Sequence, residues 1–147
     1  MKEFRTVSEV LDFAIANEVE AHRFYSELSQ WAERAEAAKL FEEMAIDELQ
    51  HRIRLDAIKA GEVTITLEEV GNLGIADSLE ETEPKANLTY AQALVVAMQR
   101  EKNAFRLYTR LALAARESDV KDIFSKLAQE EAQHKLRLEI EYNLTTF

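Results

Sequence analysis

The stretches Phe41-Glu42-Glu43-Met44-Ala45-Ile46-Asp47-Glu48-Leu49-Gln50-His51 and Phe124-Ser125-Lys126-Leu127-Ala128-Gln129-Glu130-Glu131-Ala132-Gln133-His134 decide the fold when laid side by side. In each, a phenylalanine is followed at spacings of 3, 4 and 3 by Met44, Glu48 and His51, or by Leu127, Glu131 and His134. Steps of three and four residues keep side chains on one face of an α-helix. Each stretch therefore reads as a helix whose apolar stripe also carries a glutamate and a histidine. The stripe runs on to Leu55 in the first copy and to Leu138 in the second.

The match extends well beyond these stretches. Residues 6–58 align with residues 89–141 at a constant offset of 83 without a gap, and 16 of the 53 pairs are identical. Upstream of the quoted segments, Leu11, Ala14, Glu18, Ala21, Tyr25 and Leu28 pair with Leu94, Ala97, Glu101, Ala104, Tyr108 and Leu111. These too follow helical spacing, with one glutamate set among apolar residues.

Each repeat reads as a helical hairpin. Thr6-Val7-Ser8-Glu9 and Thr89-Tyr90-Ala91-Gln92 are capping boxes that start a helix, and short turns are expected near 33–36 and 116–119. All three glycines (Gly61, Gly71, Gly74) and the only proline (Pro84) fall between the repeats. Gly61 stands where a left-handed C-terminal cap is wanted. Four helices of about 22–26 residues would be about 33–39 Å long, and residues 61–88 suffice to cross such a bundle end to end. The strand signal is confined to Val63-Thr64-Ile65-Thr66. The fold class expected is all-α: a single domain over 1–147, with hairpins at 6–60 and 89–147 and a long crossover at 61–88. Two hairpins and a long crossover make a four-helix bundle.

Composition narrows the function. Eighteen Lys+Arg against 28 Asp+Glu give a net charge of −10, which disfavours nucleic acid and anionic membranes as partners. The longest uncharged apolar run, Ala91 to Met98, is far short of the ~20 residues of a membrane span. No signal peptide is visible at the start, so a soluble cytoplasmic protein is expected. The absence of cysteine excludes disulfides, zinc ribbons, iron–sulfur clusters and thiol catalysis.

Four carboxylates (Glu18, Glu48, Glu101, Glu131) and two imidazoles (His51, His134) thus fall on core-facing stripes. A buried carboxylate requires neutralisation. Two divalent cations supply +4 against four carboxylates, and neutral histidine nitrogens complete an oxygen-rich set suited to iron or manganese. One Glu-x-x-His on a charged helix reads as solvated surface; two at a single offset, each 30 residues after an aligned glutamate, read as a metal site. His22 aligns with Phe105 and is assigned a structural or peripheral place, and Trp31 is assigned to packing at the end of the bundle.

Glu18 with Phe24-Tyr25, Glu48-Leu49-Gln50-His51, Glu101 with Tyr108, and Glu131-Ala132-Gln133-His134 together resemble the ferritin-like di-iron carboxylate proteins, within them the rubrerythrin-type branch. The resemblance implies two iron ions, manganese being the other candidate. It implies Glu48 and Glu131 as bridges, Glu18 and Glu101 as terminal ligands, His51 and His134 each capping one metal, and Tyr25 and Tyr108 flanking the ligands. Asp47 and Glu130, just before the bridging glutamates, would each reach the histidine of the opposite hairpin, Asp47 to His134 and Glu130 to His51. Such proteins oxidise Fe(II) with O₂ or peroxide in oxidative-stress defence and often form homodimers.

The chain departs from that pattern in two places. It has no cysteine-ligated rubredoxin domain, so an external donor such as a rubredoxin-like protein is implied. Ala104 stands where rubrerythrins tend to carry an extra glutamate, which points to a ferroxidase or a weak peroxidase. Storage in a ferritin shell is disfavoured because Phe147 leaves no length for a fifth helix. Iron sequestration without turnover, and a structural bundle with an inert ion, are the alternatives.

Overall fold

Thr89 begins the second hairpin with both bonds of its capping box formed. Its hydroxyl accepts from the Gln92 N–H at 3.1 Å, and its own N–H donates to the Gln92 side chain at 2.9 Å. Thr6 begins the first hairpin likewise, accepting from the Glu9 N–H at 3.1 Å. These caps satisfy amides that have no partner inside the helix. From them run the helices of a computed structural model that describes residues 6–61, 65–67 and 87–146.

Helices α1 (Val7–Trp31) and α2 (Ala35–Lys59) form one hairpin, and α3 (Tyr90–Ala114) and α4 (Ser118–Thr146) the other. Extended backbone at Ala32 and Arg34 reverses the chain between α1 and α2, and extended backbone at Ala115 does so after α3. Connections this short place successive helices antiparallel and adjacent. The chain divides into two compact units, one ending at Thr66 and the next beginning at Leu67, so each unit holds one hairpin. No strand occurs among the described residues. Of the short strand signal at 63–66, only Ile65 and Thr66 are described and they form no strand. The adjacent Leu67 makes an isolated antiparallel bridge with Ala115, and the rest of the crossover, 62–64 and 68–86, lies outside the described residues. No described helix is long and apolar enough to cross a membrane.

The stripes read from the sequence form the core. In the first hairpin Leu11, Ala14, Leu28, Phe41, Met44 and Leu55 are buried, and Tyr25 stacks on Phe41 with ring centroids 6.4 Å apart. In the second, Leu94, Ala97, Leu111, Leu127 and Leu138 are buried, and Tyr108 stacks on Phe124 at 6.3 Å. Each fully buried leucine or phenylalanine adds about 1.5–3 kcal/mol, so these stripes dominate the stability of both hairpins. Trp31 remains 46% exposed at the end of α1 rather than entering the core.

Polar ties differ between the repeats. In the first hairpin the His22 Nδ1–H donates to the Ala45 carbonyl at 2.8 Å, which gives this histidine a structural place, and Lys59 pairs with Asp12. In the second, Lys121 Nζ donates to the Ala112 carbonyl at 3.2 Å, and Tyr90 donates its hydroxyl to Glu141 at 3.2 Å.

Gly61 closes α2 as expected. Its φ is +84°, its N–H donates to the Ile58 carbonyl at 3.1 Å, and no atom would meet an added Cβ within 4 Å. Any cost of a side chain here is therefore one of backbone conformation alone. Gly61→Ala should lower stability by about 1 kcal/mol and Gly61→Asn by less, because asparagine tolerates the left-handed region. Chemical denaturation of the two variants checks this ordering.

Candidate metal centre

Helical spacing brings three donors together in each hairpin. Glu18 projects from the middle of α1. Glu48 and His51, three residues apart, project from the facing stripe of α2. All three are buried, at 2%, 1% and 1% exposure. His51 Nδ1 lies 3.4 Å from Glu48 Oε1 and 3.6 Å from Glu18 Oε2. In the second hairpin Glu101 on α3 and Glu131 and His134 on α4 are equally buried, and His134 Nδ1 lies 3.7 Å from both Glu101 Oε2 and Glu131 Oε1. The two trios thus occupy equivalent repeat positions with nearly the same geometry.

These distances suit a metal. First-row cations bind nitrogen and oxygen at about 2.0–2.2 Å, which sets neighbouring donors about 3 Å apart. Donor atoms of each trio lie within 4.8 Å of one another, close enough for side-chain adjustment to complete either set. Two carboxylates and one imidazole per hairpin form a hard, oxygen-rich donor set that matches iron or manganese.

The same trio controls the charge of His51. Burial opposes its imidazolium, but hydrogen bonding and charge attraction from Glu18 and Glu48 outweigh that and raise its pKa to about 10. Near neutral pH, without metal, His51 is therefore a cation held between two carboxylates. One positive charge against two negative ones leaves this buried set acidic.

Other expected residues fall as follows. Tyr25 and Tyr108 lie seven residues beyond Glu18 and Glu101, about 10 Å further along the axis, and are buried at 1%. Their rings stack on Phe41 and Phe124, and Tyr25 also meets Phe24 edge-on with centroids 6.1 Å apart. Asp47 and Glu130 are half-buried, and neither is turned fully to solvent. One buried acid escaped the sequence reading. Glu141, 4% exposed, accepts from Tyr90 and from the Thr145 hydroxyl at 3.4 Å. Its signal was present, since Glu141 stands three residues after Leu138 on the stripe that holds Glu131 and His134.

Comparison with known proteins agrees with this geometry. The sequence model of the rubrerythrin family matches residues 9–142. A crystal structure from Thermotoga maritima, of a candidate ferritin-like diiron-carboxylate protein, superposes with a TM-score of 0.78 at 26% identity, covering 99% of this chain and 100% of that one. A crystal structure of an uncharacterised protein from Magnetospirillum magnetotacticum MS-1 superposes at 0.66 and 24% identity over 95% of each chain, which is a likeness of fold. No functionally curated protein matches the sequence. The fold class is therefore the all-α, ferritin-like four-helix bundle that the repeat led us to expect, and the chain belongs to the rubrerythrin family.

Proposed function

We propose that the two hairpins close into one domain in which Glu18, Glu48, His51, Glu101, Glu131 and His134 bind two metal ions, iron in the first instance and manganese as the alternative. The observation that carries this is the duplicated trio: two carboxylates and one imidazole, at most 3% exposed, at the same repeat positions of both hairpins. Two divalent ions match the four carboxylates in charge, which protonated histidines alone cannot do.

Bound iron would supply one-electron oxidation at each metal, and with it the reduction of O₂ or peroxide. The protein's part is to hold charge and position. By family resemblance, Glu48 and Glu131 would be the ligands shared between the metals, and Glu18 and Glu101 the terminal ones. His51 and His134 each donate a ring nitrogen and must be neutral to do so. Asp47 and Glu130 would accept the other ring N–H of the histidine on the opposite hairpin and fix its tautomer. Tyr25 and Tyr108 seal one side of the ligands from water through their stacks on the phenylalanines.

Ferroxidase or weak peroxidase activity is the reading that this donor set supports. Ala104 offers no extra carboxylate one turn beyond Glu101 to assist peroxide chemistry. That absence also favours the second reading, iron sequestration without turnover. With no cysteine in the chain, turnover draws electrons from outside, and a rubredoxin-like protein has suitable chemistry. A cytoplasmic homodimer is the setting proposed. Turnover with an added reductant, compared with iron retained per chain, separates the two readings.

Protein purified without added metal should contain two metal ions per chain, measured by elemental analysis. Glu48→Ala and Glu131→Ala should each lower both occupancies, since each removes a proposed bridge. Unchanged metal content in both variants would exclude these ligands.

The proton on His51 gives a second test. Its folded pKa of about 10 exceeds the ordinary 6.5, so its contribution to metal-free stability is complete below pH 6.5 and is lost as pH rises through 10. Metal must displace this proton, so metal affinity should grow over the same range. Melts between pH 6.5 and 9 should therefore show the metal-free protein losing stability while the manganese-loaded protein, whose His51 is unprotonated both when bound and when unfolded, stays nearly level. His51→Gln should flatten the metal-free slope. Parallel slopes for the two forms would contradict the shared site.

A further inference from the structure

The outer face of the second hairpin holds an open groove of about 430 Å³ between α3 and α4. Phe105, Ala132 and Leu136 supply an apolar floor, with Phe105 41% and Leu136 57% exposed. Three cations, Lys102, Arg106 and Lys135, and one anion, Glu139, complete its lining. Lys135 is paired with Glu139 at 2.7 Å. Lys102 and Arg106 are half-buried, and among the described residues neither has a hydrogen bond or ion pair. Two unneutralised cations side by side are unexpected in a chain of net charge −10.

The repeat provides an internal control. At the equivalent places of the first hairpin stand Val19 for Lys102, His22 for Phe105, Arg23 for Arg106 and Arg52 for Lys135. There Arg23 is held by Glu20 and Glu27, Arg52 lies 3.6 Å from Asp56, and His22 is tied to the Ala45 carbonyl. The two hairpins are alike on their inner stripes, yet only the second has an aromatic floor beneath unpaired cations.

We propose that this groove binds a small organic anion with a flat or aliphatic apolar body, its carboxylate, sulfonate or phosphate group held by Lys102 and Arg106. The volume lies within the range of small-molecule sites. Arginine meets such groups with two parallel N–H donors and lysine meets them as a point charge. The apolar body covers Phe105 and Leu136, which water covers otherwise. Nothing in this inference depends on the metal centre.

The test is calorimetric titration of the full chain with 2-naphthoate, and with neutral 2-naphthylmethanol as control. One equivalent of 2-naphthoate should bind, and added salt should weaken it. The double variant Lys102→Gln/Arg106→Gln should weaken binding at least about tenfold while leaving helicity and Tm unchanged. Leu136→Glu, at an exposed position where folding is not at risk, should also abolish it. Arg52→Gln on the first hairpin should have no effect. Equal affinity for the neutral alcohol, equal affinity in the variants, or no binding at millimolar 2-naphthoate would overturn the proposal. So would binding of an acidic helical peptide without any binding of the small anion, because the groove would then be a macromolecular docking face.

Discussion

The inner stripes of this chain answer to the burial of negative charge within each hairpin. Two glutamates that are at most 2% exposed carry a desolvation penalty of several kcal/mol each unless something neutralises them. In the first hairpin the histidine on the same stripe is the nearest remedy, and its raised pKa measures how strongly the carboxylates hold its proton. It leaves the set one charge short. A divalent cation that displaces the proton instead adds a net charge of +1 at the same place. The trio is therefore better matched to metal than to protons, and the same residues recur in the second hairpin.

The scaffold carries apolar packing of its own on either side of this set. The apolar stripe runs past the buried trio in both directions, with Leu11, Ala14, Met44 and Leu55 on α1 and α2 and the Tyr25–Phe41 stack beyond them. Helices with this packing place Glu48 and His51 by backbone geometry, since i and i+3 share a face whatever the side chains prefer. The buried carboxylates and imidazoles are thus preorganised by apolar contacts at other positions. This division of labour explains how a polar cluster is tolerated in mid-helix, where each glutamate alone would weaken the core.

The same division explains what the sequence made legible. Helical spacing exposed the stripes, and the offset of 83 exposed the pairing of Glu18 with Glu101 and of His51 with His134, because core positions obey a strict period. The turn at Gly61 was readable because a positive φ has a distinct residue preference. The crossover was not, since residues 61–88 mix glycine, acid and isolated apolar residues without a period. Glu141 lay on the stripe but went unread because its repeat partner is Ile58, so the comparison that revealed the other acids was silent there. The groove was invisible for a related reason. Lys102 and Arg106 read as ordinary surface charge until the structure set them over Phe105 and Leu136.

Differences between the repeats then separate the role of the inner stripes from that of the supports around them. The first hairpin ties α1 to α2 through His22 and the Ala45 carbonyl and through Lys59 and Asp12; the second ties α3 to α4 through Lys121 and the Ala112 carbonyl and through Tyr90 and Glu141. None of these ties has a counterpart in the other repeat. Interhelical hydrogen bonds of this kind contribute about 1 kcal/mol each and can be met by many residue pairs. The trio geometry admits no such exchange, because a carboxylate or imidazole moved by one residue turns through about 100° and leaves the shared face. Identity at Glu18, Glu48, His51 and their counterparts, against divergence at every tie, places the stricter constraint on the inner stripes and leaves the outer faces open to separate uses.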